Sequence, residues 1–368
     1  MSKIFWLTDT SFLDVDLPIM PLLCKHFDID WVIITTSRRY EDDDLYIKSK
    51  FRGEYKIVIN DGYFFQLKTY KLYKQLISSV SKKQYDCYYM DISGMPYLYP
   101  IVKSYLDVSK VIVAAHNVKT PKGARYYWLA KLYMKYILTN FVNFQVFSKN
   151  QLATIQVIKP SYNVLYAPLC LKDYGDIGKQ TNKKSKITFL FFGNVVKYKR
   201  LDILLNAINL LYLKGIRDFK VIIAGYCPET TWKNEYEPII NKSIVEFDIR
   251  RIPNNEVAQL FARSHYFVMP YQDIAQSGAM TVALCYNLPI IASELDTFKE
   301  FLNDGTDGYF FRSGSHESLA ERMEYVIKNH EQVYDDLKES QKSMVIRNLS
   351  TDAIVERYRI YIDSICQI

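Results

Sequence analysis

Residues 186–199 read KITFLFFGNVVKYK, and the fold turns on them. Ile187 to Phe192 is an apolar run broken only by Thr188. Such a run suits a strand covered on both faces, as in a parallel sheet. Gly193-Asn194 follows, where the backbone must turn sharply. After a short stretch, Leu201, Leu204, Leu205, Ile208 and Leu211 recur at helical spacing. The unit is strand, glycine turn, basic loop, helix. In open parallel sheets, ligands sit beyond the carboxyl ends of strands. Helix N-termini there offer unpaired amides to anions. Lys197, Lys199 and Arg200 add positive charge at that edge. The pattern points to a diphosphate site, although a glycine turn and a few lysines also occur in any α/β protein.

A chain of 368 residues is too long for one ordinary core, so two domains are expected. Hydrophobic content of 49% and charge of 24% describe a globular chain. The 31 tyrosines and 20 phenylalanines supply amphipathic surface suited to membranes and sugars. A net charge of +7 favours an anionic partner such as a nucleotide or lipid headgroup. It does not demand nucleic acid, and none is expected. Cys24, Cys87, Cys170, Cys227, Cys285 and Cys366 lack the spacing of a metal knuckle. They suit buried thiols of a reducing compartment. The start MSKIFWLTD has no signal-peptide core. No uncharged apolar run reaches the roughly 18 residues of a spanning helix. A cytoplasmic protein is expected.

In the first half, strands are expected at Ile4 to Leu7, Trp31 to Ile34, Tyr55 to Ile59, Tyr85 to Met90, Lys110 to Ala114, Phe144 to Phe147 and Tyr162 to Leu169. Helices are expected at Pro18 to Phe27, Phe64 to Val80 and Asn150 to Ile158. The alternation argues a parallel sheet with helices on both faces. His116-Asn117 stands at a strand's carboxyl end, where a satisfied structural histidine and a ligand residue are both open. Lys119 to Leu138, KTPKGARYYWLAKLYMKYIL, carries five cations and five large aromatics without an acid. A basic amphipathic helix of that kind suits an anionic membrane surface, or an ordinary solvated face. Lys172 to Ser185 is polar and reads as the linker.

In the second half, strands follow at Phe219 to Ala224, Ile244 to Phe247, Tyr266 to Pro270, Leu288 to Ala292 and Tyr309 to Phe311. Helices are expected at Asn255 to Ala262, Ala279 to Tyr286, His316 to Lys328, Gln332 to Met344 and Asp352 to Ile365. Gln276-Ser277-Gly278 places a hydroxyl and free amides at a helix start. That is a second anion cradle, or simply a helix cap.

These residues together resemble the retaining glycosyltransferases of family 4, the glycosyl transferases group 1. They are Phe191-Phe192-Gly193-Asn194, Tyr198-Lys199, Ala224-Gly225, Arg251-Ile252-Pro253, Met269-Pro270-Tyr271, Gln276-Ser277-Gly278, Asn287 to Ala292, Glu300, and Gly305 to Phe311. The likeness covers about Ile187 to Ile327, and the Gln-Ser-Gly form is similar to bacterial surface-polysaccharide enzymes. It implies an α/β GT-B fold, two Rossmann-like doubly wound domains facing a central cleft. Residues 1–171 would bind the acceptor, 172–185 link, and 186–348 bind a nucleotide sugar such as a UDP- or GDP-sugar. Residues 349–368 would cross back to the first domain.

The resemblance implies a donor site of Gly193, Asn194, Lys199, Arg200, Gly225, Ile252, Asn254, Tyr271, Gln276, Ser277 and Gly278. Asp14, Asp16, His116 and Asn117 would meet a glycan or lipid-linked acceptor, with His116 and Lys199 catalytic. No cofactor and no metal ligand are expected, and residues 119–138 would touch the inner face of the plasma membrane. Two departures stand out. The family's usual arginine after the glycine is Asn194, and its spaced glutamates fall near Ile274 and Val282. A degenerate scaffold and a nucleotide-sugar epimerase are therefore the alternatives.

Overall fold

Lys3–Asp9 (β1) is KIFWLTD, with five consecutive residues buried. Ile4 and Trp6 pack with Cys87, Tyr89 and Ile112. Phe5 and Leu7 pack with Tyr88, Met90 and Val113. Successive side chains of a strand point to opposite faces, so a run apolar at every position belongs to a sheet covered twice. The computed structural model describes residues 1–120, 126–178, 186–274 and 276–367.

The first sheet adds Asp28–Thr35 (β2), Lys56–Ile59 (β3), Cys87–Asp91 (β4), Val111–Ala114 (β5), Asn143–Val146 (β6) and Asn163–Tyr166 (β7). Its order is β3-β2-β1-β4-β5-β6-β7, all parallel. The second sheet holds Ile187–Phe192 (β8), Phe219–Ala224 (β9), Val245–Asp248 (β10), Tyr266–Met269 (β11), Ile290–Ser293 (β12) and Gly308–Phe311 (β13). Its order is β10-β9-β8-β11-β12-β13, again all parallel. Unit 1 comprises Met1–Cys170 with Thr351–Ile368, and unit 2 comprises Leu171–Ser350.

The helix Thr351–Cys366 belongs to unit 1 because its apolar stripe fits that sheet. Ile354, Tyr358, Tyr361, Ile362 and Ile365 are buried at helical spacing. The Tyr361 hydroxyl donates to the Asn163 carbonyl at 2.8 Å, and Gln145 donates to the Tyr358 hydroxyl. Within unit 2, the stretch after Cys170 is tied down early. The Tyr174 amide donates to the Tyr286 hydroxyl at 2.7 Å. Residues 179–185 of the expected linker lie outside the described residues.

Several elements differ from the sequence expectation. His316–Asn348 is one helix of 33 residues, not two. Its polar middle is no break, because buried His330 pairs through Nδ1 with the Tyr266 hydroxyl at 3.0 Å. Tyr40–Lys50 is a helix with no apolar stripe, burying only Asp43 and Ile47. Leu98–Tyr105 is a further helix not anticipated. The stretch from Pro18 to Phe27 holds only the short helical turn Met20–Leu23, and another, Leu13–Asp16, precedes it. The basic helix starts at Tyr127, after Tyr126 in the left-handed region.

The ends of β8 and β9 touch through glycine. Gly225 has φ +147, and a Cβ there would lie 2.2 Å from the Gly193 carbonyl oxygen. Backbone cannot yield that space cheaply. Gly225→Ala is expected to lower stability by about 2 kcal/mol or more, from overpacking and a disfavoured backbone. Urea unfolding measures this, and an unchanged midpoint would contradict the contact.

Candidate functional site

In unit 2 the chain leaves β8 toward β9 on one side and β11 toward β12 on the other. β8 and β11 are neighbours, so the strand order reverses between them. Ligands of doubly wound sheets lie at the carboxyl edge of that reversal. Gly193 and Lys199 follow β8, and Tyr271 to Gly278 follow β11.

A short 3-10 turn, Lys197–Lys199, carries Lys199 back over the glycine. A Cβ at Gly193 would meet Lys199 Nζ at 2.7 Å, and Gly193 has φ +103. Glycine is needed here so that the backbone can turn and the ammonium can lie on it. Lys199 is only 9% exposed. Burial lowers its pKa to about 8, and no carboxylate opposes that shift. Its nearest electrostatic support is the Tyr271 ring, 5.4 Å from Nζ to centroid. A buried cation without a counter-ion is costly for stability and belongs where an anion arrives.

Tyr271 is therefore corrected. It is 1% exposed and packs beneath the lysine, so it supports the site rather than lining it. Arg200 is corrected too. Its guanidinium grips Asp202 at 2.8 and 2.9 Å and donates to Gln272 at 3.0 Å. Each of its three nitrogens thus donates within the protein. Asn194 is exposed. Ser277 caps the helix Gly278–Cys285, its Oγ accepting from the Met280 amide at 3.2 Å. Gln276 and Gly278 flank it, both half-buried. Ile252 is half-buried and Asn254 exposed, just before and at the start of the helix Asn254–Ala262. Val282 is buried and Ile274 half-buried, so no carboxylate stands where the family's glutamates would.

One residue escaped the sequence reading. A Cβ at Gly278 would lie 2.9 Å from Lys172 Nζ, so a second ammonium sits at that helix start. The polar composition around Lys172 looks like a linker and hides this. Among the described residues, no group of three or more His, Cys, Asp or Glu is placed to hold a metal ion.

In unit 1 the order reverses between β1 and β4. Asp91 ends β4, and His116 follows β5. His116 Nε2 lies 2.6 Å from Asp91 Oδ1. Its ring is sandwiched between Phe12 at 3.8 Å and Phe147 at 4.3 Å. Gln151 donates to the His116 carbonyl at 2.8 Å. The expected acceptor role of Asp16 is corrected. It is wholly buried, and its Oδ2 accepts from Trp6 Nε1 at 2.8 Å and Thr8 Oγ1 at 2.6 Å. Asp14 is half-buried and Asn117 exposed. Beside His116 and Asn117 opens an apolar pocket of about 210 Å³, floored by Met95, Tyr99, Tyr133 and Ile137.

The helix Tyr127–Asn140 buries Tyr133 and Ile137. It leaves Trp128 71% and Leu132 64% exposed. Lys131 and Lys135 join Lys119 and Lys159 around a groove of about 800 Å³ that no acid lines. Lys122 and Arg125 of the expected basic stretch lie outside the described residues. Among the described residues, no helix is long and apolar enough to cross a membrane.

Residues 186–329 match the family model for glycosyl transferases group 1. No curated protein matches the chain. Three solved structures resemble it over nearly its whole length. A glycosyltransferase from Rickettsia africae has a TM-score of 0.74 at 12% identity, over 99% of this chain and 98% of that one. HepE from Anabaena, in complex with UDP and glucose, has 0.74 at 12%, over 99% and 100%. Sucrose-phosphate synthase from Thermosynechococcus elongatus has 0.77 at 12%, over 100% of both. The fold is GT-B, two Rossmann-like domains of parallel sheet. With the matched segment, it supports a GT-B glycosyltransferase.

Lys199 makes stability depend on pH. Its folded pKa of about 8 lies below the ordinary 10.5. Between those values the unfolded chain holds a proton that the folded chain releases, so this contribution improves as pH rises. Lys199→Met is expected to be more stable than the parent at pH 7, by on the order of 2 kcal/mol after the ring attraction is deducted. The gap should close toward pH 10.5. Urea unfolding of both proteins at pH 7 and pH 10 checks it, and a destabilised Met variant at pH 7 would refute the uncompensated charge.

Proposed function

We propose that the chain is a retaining glycosyltransferase. It moves a sugar from a nucleotide diphosphate sugar to a glycan or lipid-linked acceptor, in the making of a surface polysaccharide or glycolipid. One observation carries this: a buried ammonium, Lys199, seated on Gly193 at the sheet's reversal point, within the segment that matches glycosyl transferases group 1. HepE, of like fold, is known with UDP-glucose, and a UDP-sugar is the donor we favour.

In such a transfer the bond from the anomeric carbon to the diphosphate oxygen breaks. Negative charge grows on the leaving diphosphate. Lys199, Lys172 and the amides at the start of the helix Gly278–Cys285 are fixed positive groups for that charge. They bind more strongly as the charge develops, which is what lowers a barrier. Being preset, they need little reorganisation. Retention follows if the leaving phosphate itself accepts the acceptor's proton. The diphosphate also supplies the counter-ion that Lys199 lacks. Unit 1 would take the acceptor at His116 and Asn117, with its apolar part in the pocket of Met95, Tyr99, Tyr133 and Ile137. Trp128 and Leu132, flanked by lysines, would rest on an anionic membrane at the cytoplasmic face.

Lys199→Ala is expected to lose transfer by about 10²-fold or more, as when one oxyanion donor is removed. UDP should raise the melting temperature of the parent and leave that of the variant unchanged. Equal turnover in both proteins overturns the assignment. UDP binding without any transfer across common donors favours the scaffold instead.

The membrane contact is tested separately. Affinity for vesicles rich in anionic lipid, read by co-sedimentation, should fall about 30-fold or more in Lys131→Glu/Lys135→Glu, since each basic residue near such a surface contributes about 1 kcal/mol. Equal sedimentation retires the contact.

A further inference from the structure

Behind His116 stand two carboxyl groups that no solvent reaches. Asp91 and Asp16 are both 0% exposed. Each has one oxygen engaged. Asp91 Oδ1 meets His116 Nε2, and Asp16 Oδ2 accepts from Trp6 and Thr8. Each has one oxygen without a donor, Asp91 Oδ2 and Asp16 Oδ1. Thr8 is the cross-strand partner of Asp91 and its hydroxyl holds Asp16 at 2.6 Å, so the two carboxyls are neighbours. Two buried acceptors side by side with nothing between them would be strongly unfavourable. A single proton between them satisfies both.

We infer that Asp16 and Asp91 share one proton, leaving one net negative charge that holds His116 as an imidazolium. Asp91 is then a positioning residue and Asp16 the residue that keeps Asp91 ionised. The surroundings agree. Burial pushes both carboxyls well up, and Asp91 is pushed further by Asp9 and Asp14. The charge that opposes this at Asp16 is that of His116. Tyr89 and Tyr99, also near Asp91, are held neutral by burial. The faces of the histidine meet Phe12 and Phe147, whose rings favour a cation over a neutral ring. While charged, His116 donates hydrogen bonds and cannot collect a proton. On the transferase reading, it would grip an oxygen of the sugar or acceptor rather than serve as the base.

The test is histidine side-chain NMR on the full chain. Only five histidines are present, and His116→Gln assigns the signal. The parent His116 should titrate at least one pH unit above the ordinary value of about 6.5. In Asp91→Asn it should fall to 6.5 or below. In Asp16→Asn, whose amide can still donate to Asp91, it should stay within about half a unit of the parent. A parent midpoint at or below 6.5 overturns the inference without any variant, as does an unmoved midpoint in a folded Asp91→Asn. The activity readout is a pH profile. Transfer should decline as pH rises through the raised midpoint, and that decline should move to lower pH in Asp91→Asn, with donor KM within about twofold and kcat down about fivefold or more at pH 7.5, as the imidazolium fraction falls. The NMR result does not need transfer. A high His116 midpoint in a protein that neither binds UDP nor transfers sugar would reject the enzyme and keep the proton.

Discussion

The approach of one glycine to another sets up the carboxyl edge of the second sheet. Gly225 comes so near the Gly193 carbonyl that no side chain fits between β9 and β8. The same glycine that accepts this contact turns with positive φ and leaves its Cα bare. Lys199 fills the bare position. An ammonium cannot be pressed onto backbone unless that backbone carries no Cβ, so the charge, the turn and the strand spacing are one feature. Tyr271 then supports the ammonium from below and meets the Tyr198 ring edge-on at 6.0 Å, tying the segments after β8 and β11 together.

Much of unit 2 was legible because its chemistry is local. A six-residue apolar strand, a glycine and a basic loop lie within fourteen residues, and the lysine that matters is among them. What stayed hidden acts at long range. Lys172 reaches Gly278 from more than a hundred residues away, and composition gave it no mark. Arg200 looked like a free cation, but Asp202 is close enough in sequence to have flagged the pairing. Tyr40–Lys50 has no apolar period to read, because its main anchor is a buried aspartate held by Thr10 and Thr35. The long helix His316–Asn348 looked interrupted because His330 finds its partner far off in sequence, on the strand β11.

Unit 1 hides its chemistry differently. Asp16 was visible as an acid in a loop after the first strand, and the sequence suggested an exposed role. The fold instead turns it inward onto Trp6 and Thr8, while Trp31 in turn donates to Thr8 at 2.8 Å. Asp91 was not singled out at all, since a lone acid ending an apolar strand reads as its polar stop. Burial of that acid gives His116 its setting. Here the sequence singled out His116 at the sheet edge but not the carboxylate that His116 meets.

The return of the last helix to unit 1 bears on how the chain is made. The face of the first sheet that carries Trp6 and Tyr89 is covered by a helix encoded after all of unit 2. On a ribosome adding about 5–20 residues per second, the intervening stretch of about 180 residues takes on the order of 10–40 s. During that interval unit 2 is free to finish while a nascent aromatic surface waits uncovered. Translation pauses and holdase chaperones would thus act on the first half of this chain, and the unit completed last is the one whose synthesis began earliest.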